Sequence, residues 1–208
     1  MKFVVLDISL TRELMGSADD PYSYFEGAIL DEEELIQEAQ VKNNNPQLQL
    51  IAFKQFQSAF HSGDYSEAAL LYKDTLSFPT SKTQKIQLLF HYFYHGLTSF
   101  YLHRNGEGES HLDEGKTMLE KLTEWHKHSP STFENKLFLL QAEYFASLCN
   151  RDTSIEKYEA SIKAARDNGF VHEQGIAHGK YSLSNLALFL LLVGIFFISI
   201  SHRFYYWL

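Results

Sequence analysis

Residues Gly63 to Pro79 read G-D-Y-S-E-A-A-L-L-Y-K-D-T-L-S-F-P. Gly63 is predicted to end one helix, because glycine adopts a positive φ there without penalty. The Asp64 carboxylate is suited to begin the next helix, since it can accept bonds from backbone N–H groups. Pro79 cannot continue a helix and closes the unit. The stretch is therefore predicted to be the second helix of a helical hairpin.

Three residues inside this stretch are spaced to share one helical face. Tyr65, Ala68 and Tyr72 follow one another at intervals of three and four. Small Ala68 allows a neighbouring helix to approach closely, and Tyr72 fills the gap one turn later. With the glycine before it and the proline after it, the pattern resembles the tetratricopeptide repeat, from which Thr75 departs because that repeat has alanine there. The resemblance implies a binding or scaffolding role and no chemistry.

The composition is that of a folded, acidic protein. Hydrophobic residues make up 45% of the 208 residues and aromatic residues 15%, which argues against disorder. The net charge is −8 and there is no basic stripe, so nucleic acid is not expected as a partner. The only cysteine, Cys149, allows no internal disulfide, which fits a reducing compartment. Its single basic neighbour, Arg151, favours a structural thiol over a nucleophile.

The apolar pattern predicts further helices on both sides of this hairpin. The predicted helices are Ala28–Val41, Leu48–Ser62, Asp64–Phe78, Ser81–Leu102, Ser110–His126, Ser131–Cys149, Thr153–Asn168 and Val171–Tyr181. From Leu48 onward they pair into three hairpins, and a fourth hairpin begins at Val171. Tyr72 and Tyr158 hold the same place in their helices, two periods of about 43 residues apart, nearer to the ~40–47 of other helical arrays than to ~34.

The predicted fold is all-α, a stack of antiparallel helix hairpins like a tetratricopeptide solenoid, followed by one C-terminal transmembrane helix. Residues 1–47 form an N-terminal helical or loop segment, residues 48–181 the repeats, and residues 182–208 a hydrophobic tail. Within the tail, the 19 residues Leu183–Ser201 carry no charge, and about 18 such residues indicate a membrane span. This predicts a single-pass membrane protein with the repeats in the cytosol. The alternatives are a buried helix of a fourth repeat in a soluble cytoplasmic protein, or the end of a truncated or misread coding sequence.

Two stretches of the repeats, Phe133 to Tyr144 and Lys157 to His178, are similar to a known group of proteins. They resemble the helical-repeat region of large predicted-ATPase signalling proteins, in which a kinase-like head and a nucleotide-binding module are linked to sensor and histidine-kinase domains. Gly175 stands where that family tends to have alanine, and Gly179 where it tends to have an acidic residue. The resemblance implies an isolated interaction region and carries over no catalytic residue.

One segment has part of a phosphate-binding motif. Residues Ser110 to Thr117 read S-H-L-D-E-G-K-T and end like a P-loop. A serine replaces the first glycine of that motif, no strand precedes it, and Asp113 and Glu114 would repel a phosphate. The segment is therefore predicted to begin a helix and not to bind a nucleotide.

Two histidines are spaced for a metal. His91 and His95 lie one helical turn apart, so both are able to bind one ion. The residues between them are Tyr92-Phe93-Tyr94, and no third ligand is evident. This favours aromatic packing between helices, and neither a metal nor a cofactor is predicted.

These observations predict a non-catalytic protein-interaction scaffold that is tethered to a membrane through Leu183–Ser201. Its expected partner is a protein or a peptide, with no small-molecule substrate and no enzymatic activity. The alternative is a regulatory fragment of a multidomain signalling ATPase or kinase, without activity of its own. Tyr92, Tyr94 and Tyr101 are the candidate partner-binding residues, because the first helix of the second hairpin is unusually aromatic; the same residues are equally suited to the core.

Overall fold

The computed structural model describes residues 32–76 and 85–184, and all regular structure in those two ranges is helical. The helices are α1 (Glu32–Val41), α2 (Asn45–Ser62), α3 (Tyr65–Leu76), α4 (Lys85–Arg104), α5 (Ser110–His126), α6 (Pro130–Ser147), α7 (Arg151–Asp167) and α8 (171–184). No strand occurs in this part of the chain, which confirms the all-α class. The predicted segments before residue 32 lie outside the described residues.

The chain divides into two compact units, Met1–Leu122 and Thr123–Leu208. The division falls within α5, so that most of this helix belongs to unit 1 and its last turn to unit 2. The divisions predicted from the sequence, at residues 47 and 181, remain predictions.

The turn between α2 and α3 in unit 1 lies at the predicted residues, whereas α2 begins at Asn45 and not at Leu48, and the predicted end of α3 at Phe78 and Pro79 lies outside the described residues. Gly63 adopts a left-handed φ of 83° and donates its N–H to the carbonyl of Phe60. Asp64 Oδ1 then accepts the N–H of Glu67 at 2.9 Å, which satisfies a free donor at the start of α3. The short connection places the two helices side by side. The predicted helix end and helix start at this glycine and aspartate are confirmed.

The seam of this hairpin contains the residues that the sequence pattern selected. Ala68 is fully buried, and Tyr72 is buried with its ring 5.6 Å from that of Phe56 on α2. Thr75, the departure from the repeat pattern, is also fully buried. Its hydroxyl donates to the backbone carbonyl of Tyr72 at 2.7 Å, so the polar group is satisfied within its own helix.

In unit 2, α6 and α7 form an antiparallel hairpin that is joined by hydrogen bonds between side chains and backbone. Ser154 Oγ donates to the carbonyl of Ala142 at 2.9 Å, and Ser161 Oγ donates to the carbonyl of Asn135 at 2.7 Å. Moving forward along α7 thus corresponds to moving backward along α6. Small serine side chains at both contacts allow the two backbones to lie close together.

Tyr72 and Tyr158 hold the same place in their respective hairpins, as predicted. Each is the eighth residue of its helix and each is buried. In each case the ring also packs against the residue 23 positions further along the chain: His95 at 3.5 Å for Tyr72, and Tyr181 at 5.4 Å for Tyr158. The two units therefore repeat one packing arrangement, in which the second helix of a hairpin contacts the first helix of the next.

The predicted fold class is wrong in one part, the C-terminal transmembrane helix. No helix within residues 32–76 and 85–184 is long and apolar enough to cross a membrane. Only Leu183 and Ser184 of the predicted span lie in a described helix, α8, which is 14 residues long and too short to span a bilayer. The rest of the predicted span, from residue 185 to Ser201, lies outside the described residues. The predicted single-pass membrane localisation therefore has no support in the described part of the chain.

Candidate functional site

The three tyrosines predicted to bind a partner do not lie on one surface. Tyr94 is buried in the core of unit 1, with its ring 4.8 Å from that of Phe60. Tyr92 and Tyr101 are half-buried. They are nine residues apart, which is two and a half helical turns, so they lie on opposite sides of α4. The structure thus places Tyr94 in the core and separates the other two.

Tyr101 forms an aromatic pair with Tyr65, the first residue of α3. The ring centroids are 4.1 Å apart, and Tyr65 also packs edge-on against Phe60 at 5.5 Å. Both tyrosines are half-buried, so they present aromatic surface to solvent at the start of α3. Sequence reasoning assigned Tyr65 to the hairpin face and missed this pairing, because spacing within one helix carries no information about a partner on another.

Tyr92 has a different neighbour on the other side of α4. The Lys121 ammonium of α5 lies 4.4 Å from the centroid of the Tyr92 ring. A cation over an aromatic face is attracted by the negative charge density of the ring. This contact joins α4 to α5 within unit 1, so Tyr92 has a packing role there.

His91 lies in the interior of unit 1 between aromatic rings. Its ring is stacked on Phe53 at 4.4 Å, and its Nδ1 lies 3.2 Å from Thr75 Oγ1. The threonine hydroxyl donates to the carbonyl of Tyr72, so its oxygen is left to accept. This requires His91 Nδ1 to carry the proton and fixes the tautomer.

His95 is stacked almost parallel on Tyr72, with 3.5 Å between the ring centroids. Its Nε2 lies 3.5 Å from Glu114 Oε2, and the same carboxylate oxygen lies 3.4 Å from His111 Nδ1. Within the part of the chain that the structure describes, His95 Nδ1 is buried without a hydrogen-bond partner. An N–H at Nε2, facing the glutamate, leaves Nδ1 as an unpaired acceptor and avoids an unpaired donor.

Burial keeps both histidines neutral. It lowers the pKa of His91 to about 4. The pKa of His95 falls to about 3, chiefly through burial and further through the positive charge of His111 and Lys121. The arrangement is therefore a packed interior of neutral rings at neutral pH.

Neither histidine belongs to a cluster that suits a metal ion. Across the described ranges, no group of three or more His, Cys, Asp or Glu side chains is placed to hold one. The ring faces of His91 and His95 are covered by Phe53 and Tyr72. These contacts are the aromatic packing that the sequence favoured over metal binding.

The segment with part of a P-loop motif, Ser110–Thr117, lies in the first two turns of α5. Lys116 Nζ contacts Asp113 Oδ1 at 3.2 Å on the exposed surface. Gly115 is buried against the ring of Phe100, and a Cβ built at this position would lie 2.5 Å from Phe100 Cε1. The glycine therefore permits close packing between α4 and α5, which explains the residue without a phosphate.

Cys149 is exposed in the turn between α6 and α7. Its φ is 56°, and its N–H donates to the carbonyl of Ala146 at 3.1 Å. A positive φ is uncommon for a residue with a Cβ and is usual for the residue that ends a helix. The positive φ of Cys149 is therefore explained by its place in the turn that ends α6.

Unit 2 contains buried charged side chains that sequence reasoning missed. Lys136 Nζ on α6 lies 2.7 Å from Glu173 Oε1 on α8, and both side chains are buried. Glu143 on α6 is also buried and accepts a hydrogen bond of 2.6 Å from the Tyr158 hydroxyl. The sequence contains a signal for these residues, because charged residues recur seven positions apart on both α6 and α8. Charged residues on amphipathic helices are ordinarily exposed to water, so this spacing did not indicate burial.

No protein-family model, curated protein or solved structure matches this chain. The resemblance to the repeats of predicted-ATPase signalling proteins therefore remains a prediction.

Proposed function

We propose that this chain is a non-catalytic scaffold, built from helical hairpins, that binds a protein or peptide partner. The observation that carries the proposal is the repeated packing of Tyr72 and Tyr158, each against the residue 23 positions further on. Recurring contacts of this kind are typical of helical-repeat proteins, which use their surfaces for recognition.

The Tyr65–Tyr101 pair is the candidate contact point for the partner. Tyrosine is enriched where proteins bind one another, because it offers a large rigid apolar area together with a hydroxyl. These two rings lie against each other at 4.1 Å and are half-buried, so binding would not require the core to open. Tyr94, which is buried, is not part of this surface.

The test compares partner capture by the full chain and by two single variants. Proteins retained by the immobilised wild-type chain are identified by mass spectrometry and measured again with Tyr101→Ala and with Tyr92→Ala. We expect Tyr101→Ala to reduce the retention of a specific partner by roughly tenfold or more, in line with a tyrosine at the centre of an interface. Tyr92→Ala is the matched control, because it removes a half-buried tyrosine from the opposite side of the same helix.

Circular dichroism and thermal unfolding of both variants show whether the fold is kept. Equal retention of every protein by all three chains would refute the assignment of this surface. Turnover of a substrate by the purified chain would refute the non-catalytic function itself.

A further inference from the structure

Helices α6 and α8 of unit 2 are joined by an ion pair that is removed from water. Lys136 Nζ and Glu173 Oε1 are 2.7 Å apart, and the two side chains are 2% and 10% exposed. The Phe170 ring covers the ammonium at 4.4 Å. Buried ion pairs add little net stability over apolar residues of the same size, so their value has to be sought elsewhere.

A second set of opposite charges follows at the same separation along the chain. Glu143 is fully buried on α6, and Lys180 is 7% exposed on α8. Each lies seven residues, or about two helical turns, beyond the first pair. Lys136 and Glu173 are 37 residues apart, and so are Glu143 and Lys180. The signs alternate on both helices, with plus then minus on α6 and minus then plus on α8.

Contacts at two levels show that α6 and α8 run in the same direction. Glu173, early in α8, meets Lys136 near the start of α6. Tyr181, late in α8, packs at 5.4 Å against Tyr158, whose hydroxyl reaches Glu143 near the end of α6. In two parallel helices, the residues that face each other keep the same sequence separation from one turn to the next. The contact that sets Glu173 against Lys136 therefore brings Lys180 to the level of Glu143.

We infer that Lys136, Glu143, Glu173 and Lys180 form a charge key that determines where, and in which direction, α8 docks on α6. In this arrangement Lys136 meets Glu173, and the shared spacing sets Lys180 at the level of Glu143. A shift of two turns would set Lys136 against Lys180 in one direction, or Glu143 against Glu173 in the other. Antiparallel docking would produce both of these like-charge contacts at once.

The key acts by penalising wrong arrangements more than by strengthening the right one. Apolar side chains alone would allow α8 to slide by two turns, because its contact face would remain apolar. Like charges brought together out of water are strongly disfavoured, so the alternating signs exclude those arrangements. This inference rests on the geometry of unit 2 and is independent of the proposed function.

The test exchanges the two charges of α8 in the full chain. The variant Glu173→Lys/Lys180→Glu keeps the composition and net charge and changes only the order of the signs. We expect amide exchange in residues 171–184 to become roughly a hundredfold faster, because docking would then require like charges to be buried. Adding Lys136→Glu/Glu143→Lys restores opposite signs at both levels, and we expect protection to return. Deuterium uptake is followed by mass spectrometry, with residues 151–167 as the reference peptide.

The matched control is an exchange within an exposed ion pair of similar length. Lys163 and Asp167 on α7 are 2.6 Å apart, with side chains 76% and 52% exposed. The variant Lys163→Asp/Asp167→Lys should leave the uptake of residues 171–184 unchanged. Unchanged uptake in the α8 exchange itself would overturn the inference.

A second comparison remains informative if the fourfold variant does not fold. The double variant Lys136→Glu/Glu173→Lys reverses only the pair with the measured contact. We expect it to protect residues 171–184 better than either single change does. The inference would be overturned if the double variant were protected no better than the less protected of the two single variants. A charge key requires the effect of one charge to depend on the other.

Discussion

Unit 1 buries neutral histidines against aromatic rings, whereas unit 2 buries charged side chains that contact an opposite charge or a hydroxyl group. His91 and His95 in unit 1 are stacked on Phe53 and Tyr72. In unit 2, Lys136 meets Glu173 at 2.7 Å. Both arrangements bring polar groups into a helical interface, but they respond to different perturbations. Protonation of the histidines should destabilise unit 1, and removal of one member of the ion pair should destabilise unit 2.

Acidification should produce the largest difference between the two interiors. The pKa values of His91 and His95 are lowered to about 4 and about 3, whereas an unfolded chain binds these protons near pH 6.5. The neutral rings therefore contribute their full stability above pH 6.5, and this contribution is lost as the pH falls toward 4 and 3. Between pH 7.5 and pH 5, each histidine should reduce the free energy of unfolding by about 2 kcal/mol.

The measurement is urea unfolding of the wild type and of His91→Phe/His95→Phe at both pH values. The carboxylates titrate alike in the two proteins, so the difference between their pH dependences isolates the histidines. The variant should lose about 4 kcal/mol less than the wild type on acidification. Equal losses would show that these two rings are not held neutral by burial.

Removal of the hydroxyl from one of the two equivalent tyrosines should give the next largest difference between the units. Tyr158 donates to the buried carboxylate of Glu143 at 2.6 Å, whereas Tyr72 donates to the Met118 thioether at 3.9 Å. Tyr158→Phe should therefore lower the free energy of unfolding by about 1.5–3 kcal/mol, since a bond to a charged group is lost. Tyr72→Phe, the matched control, should change it by less than about 1 kcal/mol, because a thioether is a weak acceptor. Equal effects in urea unfolding would contradict the distinction between the interiors.

The sequence predicted the helices and the hairpin seam because those features are determined locally. Gly63, Asp64 and Ala68 act through backbone conformation, capping and size, and each of these properties can be read from the residue and its near neighbours. The place of Tyr72 and Tyr158 was likewise evident from position within a helix. Local signals of this kind hold whenever tertiary packing does not oppose them.

The candidate site was predicted less well because it depends on contacts between helices. Tyr94 and Tyr101 belong to one aromatic segment, yet one is buried and the other contacts Tyr65. Periodicity assigns a side chain to a face of its helix but does not say what covers that face. The pairing of Lys136 with Glu173 is of the same kind, since the two residues are far apart in sequence and the charge of either one suggested exposure.

A methyl group at Gly115 tests how tightly unit 1 is packed. Its Cβ would lie 2.5 Å from Phe100 Cε1, and the ring is fully buried and has little room to move. Overpacking costs about 1–3 kcal/mol, while alanine gains about 1 kcal/mol over glycine within a helix. Gly115→Ala should therefore lower the free energy of unfolding by about 1 kcal/mol. Phe100→Leu in the same chain should make the alanine less harmful, and additive effects in urea unfolding would argue against the contact.

The same substitution in unit 2 should have the opposite sign. Gly175 lies within α8, is exposed, and has no atom within 4 Å of the place where a Cβ would be built. No overpacking opposes the gain in helix propensity, so Gly175→Ala should raise the free energy of unfolding by about 0.5–1 kcal/mol. Gly115→Ala is its matched control, because both changes add one methyl group to a helix and differ only in what surrounds it. A loss of stability in Gly175→Ala would show that this side of α8 is covered in solution, and faster amide exchange in residues 171–184 would locate the disturbance.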